Sequence, residues 1–184
     1  MKNIKIRRPV YEDTAELNDF FNMVITDTFI KEGIGGLLED MEKEIEVKKE
    51  YLLQDLSSRG EARYFLLAQA GGKIIGTVEF GPASRLILEN TNQEYSHLFE
   101  VGTVFVHPDV QGEGVGSKLL SSLYPVFCER GIEEFCMDSG YKRAQEIWKM
   151  KFGQPAVVIE NYWGKGSHHM IWRPRTDELL GSFS

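Results

Sequence analysis

The chain has 184 residues, 42% hydrophobic and 27% charged, proportions that fit one globular domain and exclude disordered and collagen-like chains. Lys and Arg number 21 against 28 Asp and Glu, a formal charge of −7 that repels a phosphate backbone and suits a cationic substrate. Nucleic acid is therefore not an expected partner. No apolar run approaches the roughly 18 residues of a membrane helix. The opening MKNIKIRRPV alternates apolar and polar residues without a signal-peptide core, so a cytoplasmic protein with no membrane partner is expected.

The first element is a strand over Lys2–Arg8, where Ile4 and Ile6 alternate with Lys5 and Arg7 and Pro9 stops the run. Asp13 or Thr14 can cap the next helix, whose apolar stripe is Leu17, Phe20, Phe21, Val24 and Ile25. After Ile34-Gly35-Gly36 a second helix runs from Leu37 to Leu56, with Leu38, Met41, Ile45, Leu52 and Leu56 as a sparse apolar face. Its EKEIEVKKE run reads as a solvated surface. Arg63–Ala70 and Lys73–Phe80 flank Gly71-Gly72 and form a hairpin. Residues 81–96 read as a long polar connection, followed by a strand over Leu98–Val106. A helix spans Gly112–Arg130, with Pro125 expected to bend it or end its regular part and Gly131 as its C′ residue. A short strand over Glu134–Asp138 and a short helix over Lys142–Lys151 follow. Residues 156–161 and 168–172 make a last hairpin, and the tail after Pro174 is expected to be loose. The order gives a mixed α/β fold with an antiparallel first half and one strand–helix–strand crossover. It is read as one domain over residues 1–174 with a C-terminal tail, 175–184.

Chemistry concentrates in VFVHPDVQGEGVGSKLL, residues 104–120. A β-rich run ends at His107-Pro108, and Gly112, Gly114 and Gly116 then open a helix. Glycine permits close backbone approach and positive φ, and free N–H groups at a helix start attract anionic oxygens. The segment suits a phosphate or pyrophosphate; a tight strand–helix turn with no ligand is the alternative. A P-loop does not fit, because Ser117-Lys118 follow Gly116 in the wrong order, and a dinucleotide fingerprint fails because its third glycine position holds Ser117.

Gln111-Gly112-Glu113-Gly114-Val115-Gly116 fits Q/R-x-x-G-x-G/A, with V-F-V-H-P before it and S-K-L-L after it. The chain thereby resembles the GNAT superfamily of acetyl-CoA-dependent N-acetyltransferases at its motif A, and its element order matches that family from the first strand to the last. The resemblance implies a GNAT fold, α/β in composition and α+β in layout, with a mixed, mostly antiparallel central sheet flanked by helices. It implies that Val104, Phe105 and Val106 line the pantetheine arm. It also implies that Gln111, Gly112, Glu113, Gly114, Val115, Gly116 and Ser117, with Lys118, cradle the pyrophosphate of acetyl-CoA.

Even spacing puts Glu100, Gly102, Val104 and Val106 on one face of the strand. An acceptor ammonium must lose a proton before it attacks a thioester, and some members of the family use a glutamate at the Glu100 position as base. The alternative is a solvent-facing or salt-bridged glutamate. Where the family often has a tyrosine acid, in A-x-x-x-Y, Ala144 leads to Trp148. An indole does not titrate usefully, so Trp148 is read as packing in the core and on the pantetheine arm. Tyr141 is the candidate substitute acid, with an ordinary strand-end aromatic as the alternative.

No metal is expected, since His168 and His169 are adjacent on a strand and point to opposite faces. Tyr162 and Trp163 form either a loop near the acceptor or an ordinary turn. Cys128 and Cys136 are read as small buried residues, with a reactive thiol as the alternative. The expected activity is transfer of acetyl from acetyl-CoA to a primary amine, on a small molecule or a peptide, by direct attack in a ternary complex. A non-catalytic acyl-CoA-binding module is the rival, and a monomer and a homodimer are both left open.

Overall fold

The N-terminal alternation forms strand β1, Lys5–Arg7, in the computed structural model, which describes residues 3–181. It is followed by α1 (Thr14–Lys31), α2 (Leu38–Ser58), β2 (Tyr64–Ala70), β3 (Lys73–Pro82), α3 (Arg85–Asn90) and β4 (Phe99–Val106). Then come α4 (Val115–Glu129), β5 (Phe135–Ser139), α5 (Lys142–Phe152), β6 (Val157–Ile159) and β7 (His169–Trp172). The strands make a seven-stranded mixed sheet in the order β1-β2-β3-β4-β5-β7-β6. β1 and β2 are antiparallel, β7 is antiparallel to both β5 and β6, and β4 and β5 are parallel. Among the described residues no helix is long and apolar enough to cross a membrane. The chain divides into two compact units: one runs to Glu79 and takes up Thr103–Leu119, and the other comprises Phe80–Gly102 and the chain from Leu120 on.

In the first unit the stripe Leu17, Phe20, Phe21, Val24 and Ile25 is buried. Phe21 meets Phe65 and Phe105, each at a ring separation of 6.3 Å. Burial of each such side chain contributes about 1.5–3 kcal/mol, which is what fixes α1 to the sheet. On α2, Met41, Ile45, Leu52 and Leu56 are buried as expected, but Leu38 is 68% exposed. It is the first residue of the helix, three positions ahead of Met41, where the buried face begins. The charged run is a solvated face, with Lys48–Glu44 at 3.3 Å and Lys49–Glu46 at 2.7 Å. Asp13 stands at the N-cap of α1 but does not cap it with its side chain. Its carboxylate takes both terminal nitrogens of Arg7, at 2.7 and 2.8 Å, and the Val10 N–H at 2.8 Å.

In the second unit the connection expected over 81–96 contains α3. Ser84 caps it, with Oγ accepting from the Ile87 N–H, and Ile87 is fully buried. Six residues are fewer than two turns, too few to write a helical period. A row of edge-to-face rings forms the core: Phe80 on Phe99 and Phe127, Phe127 on Phe135, and Phe135 on Phe152. Helix α4 starts three residues later than the sequence reading, and Pro125 does not end it. Its C-terminus closes as expected on Gly131, at φ 66, with Ile132 N–H on Phe127 O and Gly131 N–H on Cys128 O. Cys136 is buried, but Cys128 is exposed, contrary to the sequence reading.

The tail is not loose where it is described. Thr176–Leu180 forms a 3-10 turn, Leu179 is fully buried, and the Thr176 hydroxyl donates to Ile132 O at 2.6 Å. A buried leucine, the Thr176 hydroxyl and N–H, and Lys151 Nζ on Leu179 O hold a segment too short to show periodicity.

Candidate active site

In the first unit, β4 leads directly into the glycine turn. Thr103 interrupts the strand with a left-handed backbone, φ 49. A left-handed residue in mid-strand is the kind of position at which a strand bulges and bends. Beyond it, Phe105 turns to Phe21 of α1, while Val106 lies against Gly116 of α4. Val104 is half-buried.

A short 3-10 turn, Pro108–Val110, comes next, capped by His107 Nδ1 accepting from the Asp109 N–H. Gln111 then joins the turn to its surroundings: its amide nitrogen donates to Val106 O at 3.1 Å, and its oxygen accepts from Lys31 Nζ at 3.2 Å. Gly112 and Gly114 both sit at φ 81, with nothing within 4 Å of where a Cβ would stand. The positive φ explains the two glycines, and the open space leaves their backbone approachable. Helix α4 begins at Val115, and its first i→i−4 bond runs from Lys118 N–H to Gly114 O at 3.0 Å. The N–H groups of Val115, Gly116 and Ser117 precede that bond and have no partner within the helix. Val115 buries its side chain, while Glu113 is exposed. Lys118 Nζ donates to Ile4 O at 3.0 Å. The seven residues Gln111–Ser117 thus form one continuous open turn, with the Lys118 ammonium placed on β1's approach. That shape fits the anionic pyrophosphate of acetyl-CoA: approachable glycine backbone, N–H groups with no acceptor inside the helix and the positive end of a helix dipole.

In the second unit, Glu100 pairs in register with Cys136 across β4 and β5. Its Oε2 accepts from the Ser84 N–H at 2.6 Å, and the side chain is half-buried. Burial pushes the Cys136 thiol up, and the neighbouring carboxylates of Glu100 and Asp138 push it further. Cys136 is therefore a neutral thiol and no nucleophile. Tyr141 occupies the N-cap of α5, its N–H on Ser139 Oγ at 3.1 Å and its carbonyl accepting from Gln145 N–H at 2.9 Å. Trp148 is buried and tilted against Phe152 at 6.1 Å, a core position.

The same unit holds a cluster that sequence reasoning missed. His169 Nε2 lies 2.9 Å from Asp138 Oδ2, and Trp163 Nε1–H donates to His169 Nδ1 at 3.0 Å. Since the indole can only donate, Nδ1 is the acceptor and Nε2 carries the proton toward Asp138. Gly140 underlies this contact, because a Cβ there would collide with Trp163 Nε1. In the β5–β7 register Asp138 faces Ile171, which makes His169 its diagonal neighbour. That relation appears only once the register is known. His168, its sequence neighbour, instead accepts from the Asn161 N–H. Among the described residues no three His, Cys, Asp or Glu side chains cluster as metal ligands.

The chain resembles a GNAT-family protein of Desulfovibrio desulfuricans at 15% identity, TM-score 0.70, over 95% of this chain and 99% of that one. It resembles the PaiA N-acetyltransferase of Thermoplasma acidophilum, solved with coenzyme A, at 16% identity, TM-score 0.67, over 94% and 99% of the two chains. It also resembles YncA of Salmonella typhimurium, solved with its cofactor acetyl-CoA, at 18% identity, TM-score 0.62, over 99% and 96%. These likenesses establish the fold. No curated protein sequence matches the chain. A sequence model of the acetyltransferase (GNAT) family does match, over residues 31–153, which is more than half of the chain and includes the whole glycine turn. The chain belongs to the GNAT family of acetyltransferases.

Proposed function

We propose that the protein transfers the acetyl group of acetyl-CoA to a primary amine by direct attack within a ternary complex. The observation that carries this reading is the open turn at Gly112–Gly116, with two glycines at positive φ and, behind them, the first N–H groups of α4, which have no acceptor within the helix. Coenzyme A and acetyl-CoA in the PaiA and YncA structures support it. Acetyl-CoA supplies an activated thioester; the chain's residues bind it, orient it and move the amine's proton. In this reading Val104–Val106 offer backbone groups to the pantetheine arm, and Gln111–Ser117 hold the pyrophosphate.

Glu100 is proposed as the base, directly or through a water. Its Oε2 accepts the Ser84 N–H, which orients the carboxylate, and a carboxylate so held is the group proposed to take the proton from the acceptor ammonium. The free amine attacks the carbonyl carbon and the C–N bond forms; the nitrogen then gives up its second proton to water, the C–S bond breaks, and water protonates the departing thiolate. Tyr141 is the side chain proposed to replace water in that last step, and Tyr141→Phe distinguishes the two, because only the hydroxyl is lost. No covalent intermediate on the enzyme is required, consistent with the neutral, buried Cys136.

A second reading, acyl-CoA binding without turnover, is favoured by one feature: Trp148 is buried in the core where the family often has its acid. Steady-state assays with acetyl-CoA and a panel of primary amines, including polyamines, amino acids and peptides, separate the readings. Thiol release that depends on an amine establishes transfer. CoA binding without amine-dependent release establishes the binding module.

A further inference from the structure

Arg59, Asn92, Gln93, Thr103 and Asn161 are the non-glycine residues at positive φ among the described residues. Of these only Thr103 is branched at Cβ, and it lies inside a strand. A β-branched residue holds a left-handed backbone only where its surroundings impose it. Here the surroundings are a buried polar clamp. The Thr103 hydroxyl donates to Glu79 Oε1 at 3.1 Å, and the Thr103 carbonyl accepts from Thr77 Oγ1 at 2.9 Å. The other Glu79 oxygen takes Arg63 Nη1 at 2.7 Å. Arg63 in turn lies 3.6 Å over the Tyr51 ring, and its Nε donates to Gln54 Oε1 at 3.3 Å. Glu79 is 2% exposed, Arg63 7% and Thr77 0%.

A buried ion pair of this kind is a poor source of stability, since desolvation offsets most of the attraction and apolar residues would fill the same space. What apolar residues cannot do is grip a hydroxyl and a carbonyl on one residue and hold its φ. The three residues after Thr103 are Val104, Phe105 and Val106, the segment that leads into the glycine turn. A left-handed residue turns the strand and re-aims the residues beyond it.

We propose that Glu79, with Arg63 and Thr77, forms a set of positioning residues. They hold Thr103 left-handed and thereby aim the Val104–Val106 backbone at the pantetheine arm of an acyl-CoA. The assignment rests on the proposed acyl-CoA function. It makes the two halves of the ligand separable: the clamp governs the pantetheine arm, and the glycine turn governs the pyrophosphate.

The test is calorimetric binding of two probes to the full chain. One is coenzyme A. The other is adenosine 3′-phosphate 5′-diphosphate, which keeps the pyrophosphate and lacks the arm. Thr103→Val keeps the side-chain shape and the ion pair but removes the hydroxyl. It is expected to weaken coenzyme A about tenfold or more, the loss of one hydrogen bond to a charged group, and to leave the nucleotide within about twofold. Thr103→Gly adopts positive φ without a clamp and should bind coenzyme A within about threefold of wild type. Glu79→Gln should weaken coenzyme A in the wild-type background and change little further in the Thr103→Gly background. If Glu79→Gln does not fold, Thr103→Val decides the matter, because it leaves the Arg63–Glu79 pair whole. Equal losses for both probes in Thr103→Val, or unchanged coenzyme A affinity, overturn the clamp. A wild-type chain that binds the nucleotide and coenzyme A equally also overturns it, whereas a wild-type chain that binds neither overturns the acyl-CoA reading on which it rests.

Discussion

A side chain can be added at Gly116 without strain. A Cβ there meets nothing nearer than Val106 Cγ2 at 3.6 Å, and the residue lies outside the left-handed region that Gly112 and Gly114 occupy at φ 81. At those two positions any other residue costs about 1–2 kcal/mol in backbone strain alone. Gly116 is also the second residue of α4, where a negative side chain gains about 0.3–1 kcal/mol from the helix dipole. Gly116→Asp should therefore keep or raise the melting temperature. Its effect on coenzyme A has the opposite sign. A carboxylate about 5 Å from a phosphate charge is repelled by roughly 1 kcal/mol in bulk water and about 3 kcal/mol at the effective dielectric of a protein surface. Affinity should fall by roughly 5- to 150-fold. Gly116→Ala, which adds the methyl without the charge, should bind nearly as wild type. Calorimetry with coenzyme A and thermal melts followed by circular dichroism measure both quantities. In about 1 M salt, where the screening length shrinks to about 3 Å, the gap between the Asp and Ala variants should narrow. Equal coenzyme A affinity in the two variants would refute the placement of the pyrophosphate on this turn.

Named contacts lead to three further outcomes. Glu100→Gln keeps an oxygen for the Ser84 N–H but cannot take a proton, so kcat should fall about 10²-fold with coenzyme A affinity unchanged and the acid limb of the pH–rate profile lost; a wild-type profile rules Glu100 out. Gly140→Ala puts a Cβ 3.2 Å from His169 Nδ1 and against Trp163 Nε1, so the indole N–H bond should break, read as faster hydrogen exchange of that N–H by NMR; an unaltered exchange rate refutes the Trp163–His169 contact. The hydrogen bonds from Arg7 hold the Asp13 carboxyl below its usual range, so its contribution is present above the unfolded value and fades as pH falls through the folded one. Asp13→Asn should therefore destabilise by roughly 1.5–3 kcal/mol at pH 7, with the gap to wild type closing below about pH 4; a gap independent of pH would show that the charge of Asp13 does not matter.

Some of this architecture is written locally and some is not. The stripe on α1 shows because a helix of 18 residues repeats its buried face several times. The turn before α4 shows because backbone at φ 81 excludes side chains, and the sequence records that as glycine. Thr103 carries no such mark: its left-handed φ is imposed by Glu79 and Thr77, 24 and 26 residues earlier in the chain, so it is invisible until β3 and β4 are paired. The Asp138–His169–Trp163 array is hidden for the same reason, since its members meet through strand register and a turn. Helix α3 and the turn at Thr176–Leu180 are hidden by length instead, each too short to establish a period. The family motif survives because the need for approachable backbone is local.

Gln111 ties Lys31 of α1 and the Val106 carbonyl to the glycine turn through a single carboxamide. Glycines such as Gly112 and Gly114 are the most freely moving kind of residue in an unfolded chain, and ordering each costs about 1–2 kcal/mol of conformational entropy. With Gln111 pinned on both sides and Lys118 N–H closing on Gly114 O, that entropy is lost during folding and not again when a ligand arrives. An acyl-CoA held there as proposed would meet a turn already ordered, and would keep for affinity what a floppy loop would surrender to ordering.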